Sequence, residues 1–267
     1  HNAANEAGVG GAHPVVAVEV ELGESGSVDS QGVFGGDVRH EIGVEAVGSY
    51  DPLVDAETII LYWQLLKELG ITQVELRINS IGCPTCRGRY RDILKQAIQP
   101  ALATFCENCQ RRFERNVFRI LDCKVDVAKT EKLPAAIDHT CEECKGHFGK
   151  VREALRDVPH IVDPRIVRGL DYYTKTVYEF TSNLLGAQSA LGAGGRYDTL
   201  VGDMGGPQAG AVGFASGVER ILLILEALQV SAAAAPLDFF AVAATDDARP
   251  ELFRMTNQLR AGGLRGD

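Results

Sequence analysis

Three groups of residues in this chain have types and spacings suited to chemistry. Glu41 and Glu45 stand either side of Gly43 in "HEIGVEAV", and alternation puts all three on one face of a strand. Fully extended, the two carboxylates lie about 14 Å apart with no side chain between them. They could flank a cationic or hydrogen-bond-donating ligand, or simply decorate a solvated strand. Arg168 opens the aromatic run "RGLDYYTKTVYEF" (168–180), and Arg220 falls in the first turns of an apolar helix. A cation near a helix N-terminus is unfavourable unless an anion receives it. A phosphate would satisfy both arginines, and so would structural carboxylates.

Cysteines form the third group. All seven fall between Cys83 and Cys144: the pairs Cys83–Cys86, Cys106–Cys109 and Cys141–Cys144, with Cys123 alone. Two Cys-x-x-Cys pairs make a closed tetrahedral zinc site, so three pairs offer one too many, and the spacing does not choose among them. Clustered reduced thiols are the competing reading. His139 and His147 offer alternative ligands, although His147 follows Cys144 at helical spacing and suits a solvent-facing place equally. An odd number of cysteines confined to one third of the chain is a poor disulfide framework and suits a reducing compartment. No sequence-local histidine partner supports a catalytic thiol.

Two further stretches carry weaker signals. In "GAGGRYD" (192–198), Gly194 and Gly195 before Arg196 permit close backbone approach to a ligand, or form a bare turn. The spacing matches neither a Walker nor a dinucleotide-binding loop. Arg111, Arg112 and Arg115 in "CQRRFERN" make a basic helix edge that suits phosphate-backbone contact or plain solvation.

The elements that must position these residues follow from periodicity. "VVAVEVEL" and 38–47 alternate as strands. Residues 55–70 read as a helix closed by Gly70, and 72–79 as a strand. From Cys83 to about Pro159 the chain turns charged and helix-forming, with helices over 87–99, 101–115 and 141–157: a helical module inserted into a mixed sheet domain. A strand over 172–180 puts Tyr172, Thr174, Thr176, Tyr178 and Phe180 on one face, with Tyr173, Lys175, Val177 and Glu179 on the other. Ser216 and Glu219 fit a capping box opening the helix that runs on to Leu228. "LDFFAVAA" (237–244) and a helix near 250–261 read as the opening β-α of another domain, and both chain ends look cut. The expected organisation is therefore 1–82 and 161–230 as two portions of one domain, 83–160 as the insertion, and 236–267 as the start of the next.

Composition sets outer bounds. Of 267 residues, 27 are basic and 36 acidic, a net charge of -9 that argues against a dedicated nonspecific DNA binder without excluding a local patch. No apolar run approaches the roughly 20 residues of a membrane span, and no basic-then-apolar leader is present, so a cytoplasmic location is expected.

From about residue 38 onward the chain resembles the histidyl-tRNA synthetases, a family of class II aminoacyl-tRNA synthetases. "VRGLDYYTKTVYEF" resembles the family's histidine signature, "LGAGGRYDTLV" its following glycine-rich segment, and "GGPQAGAVGFASGVERILLIL" the arginine-bearing motif three. "GVEAVGSYDPLVDAETI" resembles the end of motif two with its following helix; "RILDCKVD" and the Cys-x-x-Cys pairs resemble the bacterial insertion. The resemblance implies an α+β fold: an antiparallel sheet flanked by helices, usually dimeric, followed by an α/β anticodon-binding domain. It implies ATP with Mg2+, L-histidine and a histidine-accepting tRNA as substrates. Glu45 would read the histidine, with Glu41 beside it where the family usually has glutamine, and Tyr172 and Tyr173 would enclose the imidazole and amino group. Arg168 would face the α-phosphate and attacking carboxylate, and Arg220 the nucleotide phosphates, while Gly194, Gly195 and Gly217 let ligand approach the backbone. The resemblance does not reach residues 1–37. Two other classes fit parts of the pattern: a non-catalytic regulatory paralogue that partners an ATP phosphoribosyltransferase, and a zinc-stabilised RNA-binding fragment.

Overall fold

Alternating side chains build the centre of the molecule, in a computed structural model that describes residues 15–24, 38–167, 172–186, 189–230 and 237–266, the first ten and 38–39 as backbone only. The strands are β1 (Val15–Glu24), β2 (Val38–Val47), β3 (Glu75–Gly82), β4 (Ile161–Val162), β5 (Thr174–Thr181), β6 (Ala190–Arg196) and β7 (Ala211–Gly217). The helices are α1 (Pro52–Glu68), α2 (Pro84–Ile98), α3 (Glu107–Arg115), α4 (Val127–Thr130), α5 (Glu142–Ala154), α6 (Leu200–Asp203), α7 (Val218–Ala227) and α8 (Arg249–Ala261). One seven-stranded sheet runs β1-β2-β7-β6-β5-β3-β4, antiparallel throughout except for the short β3–β4 pair.

The two faces of this sheet have different characters. One packs on α1 and α5: Val44, Leu76, Ile78, Tyr178, Phe180, Val212 and Phe214 meet Ile59, Tyr62, Leu66, Phe148 and Val151. Tyr62 stacks on Phe214 with ring centroids 4.5 Å apart. Helix α1 starts at Asp51, whose side chain accepts from the Leu53 amide at 2.9 Å. It ends where Gly70 takes φ +78°, as the expected terminator should.

Residues 83–160 leave the sheet after β3 and return before β4, forming a largely helical body with its own core of Tyr90, Leu94, Ile98, Phe105, Phe113 and Ile120. That core runs on without a break into Ile81, Tyr173, Val177 and Tyr197 beside the other sheet face. The segment read as one helix over 101–115 is in fact a 3-10 turn (Gln99–Thr104) and then α3, because Phe105 and Cys106 turn extended and Cys106 caps a new start.

Two other expectations fail for local reasons. No capping box opens α7: Gly217 is the N-cap, Ser216 donates instead to the Leu191 carbonyl at 3.2 Å, and Glu219 accepts from the His40 amide at 3.0 Å. The last compact unit, Val230–Asp267, holds α8, but 237–244 forms no strand; its backbone makes a single bridge, Phe239 to Gly266. An extended segment needs a partner along its length, and among the described residues this one is paired only at Asp238 and Phe239, against Arg265 and Gly266. No helix of the described residues is long and apolar enough to cross a membrane.

Candidate active site and metal centres

Cross-strand register assembles a row on the sheet face away from α1. Glu45 pairs with Gly213, Gly213 with Gly195, and Gly195 with Val177. Directly paired residues share a face, so two adjacent glycines lie between the Glu45 carboxylate and the β5 side. A Cβ on Gly213 would overlap that carboxylate, and one on Gly195 would lie 2.9 Å from the Tyr173 ring. The next row continues with Gly43, Ala215 and Ala193, and Ala215 is solvent-exposed. The result is a floor of glycine and alanine backbone, with Glu45 on one side and Tyr173 on the other. The Glu45 carboxylate and the Tyr173 ring themselves rest over the buried Gly213 and Gly195, and exposed floor continues beyond them at Ala215.

The far end of the floor belongs to α7. Glu41 pairs with Gly217, and a Cβ on Gly217 would lie 3.4 Å from Arg220 Cδ, placing the Arg220 stem over this end. Four residues of strand separate Gly213 from Gly217, about 13 Å. Arg220 Nη1 donates to the Ala190 carbonyl at 2.7 Å, which fixes the guanidinium beside the start of β6.

The remaining sequence-derived candidates distribute as follows. Tyr172 and Tyr173 precede β5 rather than belonging to it; their rings lie 4.8 Å apart, and Tyr172 meets Tyr197 edge-on at 5.7 Å. Gly194 lies on the opposite face, where a Cβ would meet Phe214, so close strand packing rather than ligand approach explains it. "GAGGRYD" is a strand and its exit, not a bare turn. Arg168 lies outside the described residues. Of the basic helix edge, Arg112 is tied to the Arg119 carbonyl at 2.8 Å and Arg111 pairs with Asn108.

Behind the floor lies a network that periodicity did not disclose. Arg196 is fully buried, and all of its N–H groups are used: on Asp55, Asp198 and the carbonyls of Ser49 and Asp51. His147, expected toward solvent or a metal, is instead buried with Nε2 3.3 Å from Asp55 Oδ1. Lys175, at φ +49° in the β5 irregularity, bridges Asp198 at 3.4 Å and Glu143 at 3.3 Å. Burial pushes the Asp55 carboxyl up, but hydrogen bonds from His147 and Arg196 and their charge outweigh it and hold it below the usual range.

The cysteines separate into two groups. Cys83, Cys86, Cys141 and Cys144 bring four sulfurs within 4.8 Å of one another, and Cys106, Cys109, Cys123 and Asp126 do the same with three sulfurs and a carboxylate oxygen. Each Cys-x-x-Cys sits identically: the first cysteine is a helix N-cap, and the second lies three residues into α2, α3 or α5. Helix N-termini favour thiolates. The Cys141 thiol is lowered to about 7, above all by the Cys144 amide. Amides also point at sulfur across the first group: Cys83 N to Cys144 Sγ at 3.2 Å and Cys141 N to Cys86 Sγ at 3.1 Å.

An antiparallel sheet backed by one long helix, its open face floored with glycine between a carboxylate and a motif-three arginine, defines the catalytic fold of the class II aminoacyl-tRNA synthetases. The family model for histidyl-tRNA synthetase matches residues 36–221, and this chain belongs to that family. It is 43% identical over 233 residues to the histidine–tRNA ligase of Caldanaerobacter subterraneus subsp. tengcongensis, covering 85% of this chain and 56% of that protein. Against the Trichlorobacter lovleyi histidine–tRNA ligase the identity is 44%, over 84% of this chain and 54% of the relative. Among solved structures, apo histidyl-tRNA synthetase of S. aureus superposes with a TM-score of 0.63 at 33% identity, covering 86% of this chain and 58% of that one. The chain thus spans a little over half the length of the curated relatives it matches.

Proposed function

We propose that the protein of which this chain forms part is a histidine–tRNA ligase. The observation that carries this reading is the floor itself: Glu45 and Tyr173 flank one end, Arg220 covers the other, and glycine lies between. Histidine brings an ammonium and an imidazole, which suit a carboxylate and phenols. ATP brings the phosphates that suit Arg220 and, from the histidine signature, Arg168. Glu45 grips the amino acid with Tyr172 and Tyr173, Glu41 stands at the Arg220 end opposite Gly217, and Gly195 and Gly217 let ligand rest on backbone.

In this reading the histidine carboxylate oxygen attacks the α-phosphorus in line, a P–O bond forms, and the bond to pyrophosphate breaks. A 3'-terminal ribose hydroxyl of the tRNA then attacks the adenylate carbonyl, loses its proton, and AMP leaves. The arginines and Mg2+ stabilise charge growing on phosphoryl oxygens; the protein's part is positioning and electrostatics. A homodimer in the cytoplasm, with residues 236–267 opening an anticodon-binding domain, completes the proposal.

The four-cysteine group fits a structural Zn2+. Tetrahedral zinc with Zn–S near 2.3 Å requires sulfurs about 3.8 Å apart, and Cys83 and Cys86 sulfurs are already 3.5 Å apart. Such an ion would join the chain's exit from β3 to the start of α5, the helix that leads back toward the sheet.

Histidine-dependent exchange of radiolabelled pyrophosphate into ATP by the full-length protein tests the ligase reading. Exchange that is absent with histidine, while the protein copurifies with an ATP phosphoribosyltransferase, would replace it with the regulatory one.

A further inference from the structure

The second group, Cys106, Cys109, Cys123 and Asp126, plays no part in the ligase reading. Its four residues come from two short stretches, the N-terminus of α3 and the turn before α4. Their spacing is Cys-x2-Cys, 13 intervening residues, then Cys-x2-Asp. This is the arrangement of a two-pair, ribbon-type zinc site with its last thiolate replaced by a carboxylate. Cys109, Cys123 and Asp126 are buried inside the apolar core of the insertion, at 0%, 7% and 5% exposure. A carboxylate in such a core, with three thiols gathered about it, suits the binding of a cation.

The distances match a tetrahedron before any ion is placed. Cys106 and Cys123 sulfurs are 3.7 Å apart, and Cys123 Sγ is 3.7 Å from Asp126 Oδ2, against the edge of about 3.8 Å that zinc–thiolate bonds require. The surroundings supply an outer layer of support. The Cys106 amide donates to Asp126 Oδ2 at 2.8 Å, the Asp126 amide to Cys123 Sγ at 3.3 Å, and Lys129 Nζ to Asp126 Oδ1 at 2.9 Å. Lys129 also holds the Thr104 carbonyl, so the neighbouring charge is fixed in place. Three thiolates and a carboxylate around Zn2+ leave two net negative charges, which Lys129 and the α3 N-terminus face.

We propose that the insertion binds a second Zn2+ through Cys106, Cys109, Cys123 and Asp126, distinct from the four-cysteine site at its root. On binding, three thiols release their protons to solvent, and no oxidant or reductant is involved. The ion ties the turn at 121–126 to α3. That turn, through Leu121, Asp122, Cys123 and Lys124, forms one wall of a polar cleft of about 840 Å3 whose other wall includes Glu75 of β3 and Glu179 of β5. The second centre therefore shapes the cleft, whereas the first anchors the insertion.

Metal analysis of the full-length protein, purified under reducing conditions without added metal and again after Zn2+ loading and desalting, tests this directly. Two zinc ions per chain are expected; one per chain in the loaded wild type overturns the proposal. Cys109→Ser is expected to retain one ion. Because that variant places a hydroxyl in the core and can fail to fold, Asp126→Asn is compared with wild type after Co2+ substitution. The ligand-field bands should shift in Asp126→Asn while the sulfur charge-transfer intensity of seven thiolates persists. Unchanged bands would remove Asp126 from the ligand set and overturn the site as assigned.

Discussion

Arg196 and Asp55, 141 residues apart in the chain, form a fully buried ion pair in which Arg196 Nε lies 2.9 Å from Asp55 Oδ2. The pair joins β6 to α1 directly beneath the glycine floor. Removing one member strands the other charge in the core, which costs about 3–5 kcal/mol. Arg196→Met is therefore expected to lower unfolding stability by that order in urea titrations. Arg196→Lys keeps the charge but cannot reproduce the fork of donors, so it should recover only part of the loss. Wild-type stability in Arg196→Met would mean that the pair is dispensable.

The same pair makes stability depend on pH in a defined direction. The folded Asp55 carboxyl lies below its ordinary value of 3.8. A depressed folded value contributes stability that is fully present above the unfolded value and lost as pH falls through the folded one. Urea midpoints should therefore fall progressively below about pH 4. Asp55→Asn, though less stable throughout, should show a shallower acid slope. Equal slopes in the two proteins would place the acid sensitivity elsewhere, Asp163 being the next candidate because burial is outweighed there by the Arg165 amide and Arg77.

The floor predicts a strong penalty for a single methyl group. Gly213→Ala sets a Cβ against the Glu45 carboxylate, and Gly195→Ala sets one 2.7 Å from the Thr176 carbonyl and against Tyr173. Each is expected to lower histidine-dependent pyrophosphate exchange by more than about tenfold, a displacement of roughly 1.4 kcal/mol or more at the site. In Gly213→Ala the added Cβ also falls against the Val44 carbonyl, so the β2–β7 pairing must shift, and urea titration beside circular dichroism separates that loss of stability from a loss at the site. Full exchange activity in both variants would dissociate the floor from the ligand.

A Zn2+ held by Cys83, Cys86, Cys141 and Cys144 would be felt at the amino-acid end. Arg87 follows Cys86 directly, and its Nη1 donates to the Tyr173 carbonyl at 2.8 Å; on the other side, His147 follows Cys144 by one helical turn and meets Asp55. Cys86→Ser is expected to lose one zinc and raise the KM for histidine by about 10-fold or more, in line with the effect of disturbing residues that support a metal site. Arg87→Met should raise the same KM with zinc unchanged. If Cys86→Ser loses its ion while the KM stays put, the insertion root and the pocket are independent.

Much of the sheet was legible because its strands alternate. Residues 38–47 showed Glu41, Gly43 and Glu45 on one face, and β2 keeps that arrangement. What was not legible depended on neighbours far along the chain. The irregularity at Lys175 leaves no mark, since lysine is not a residue that announces a positive φ. Ser216 reads as a cap until Tyr62, 2.6 Å away, and the Leu191 carbonyl claim its hydroxyl. His147 looked exposed because nothing local connects it to Asp55. The surplus cysteine pair was solvable in principle: Cys-x2-Asp at 123–126 repeats the thiol spacing, but a search for cysteines alone passes over Asp126. Periodicity reports which face a residue takes; it does not report which distant charge waits there.

The strand order carries a consequence for how the chain reaches this state. β3 and β5 lie side by side, yet Leu76 must find Phe180 across the whole insertion. Closing so long a loop is slow and entropically costly. Once Cys83 and Cys86 share an ion with Cys141 and Cys144, most of that intervening chain is bypassed, and the two strand ends are tethered through a short remainder. Refolding of the full-length protein should accordingly run faster with Zn2+ present from the start than with Zn2+ added late, even where both routes end at the same final stability.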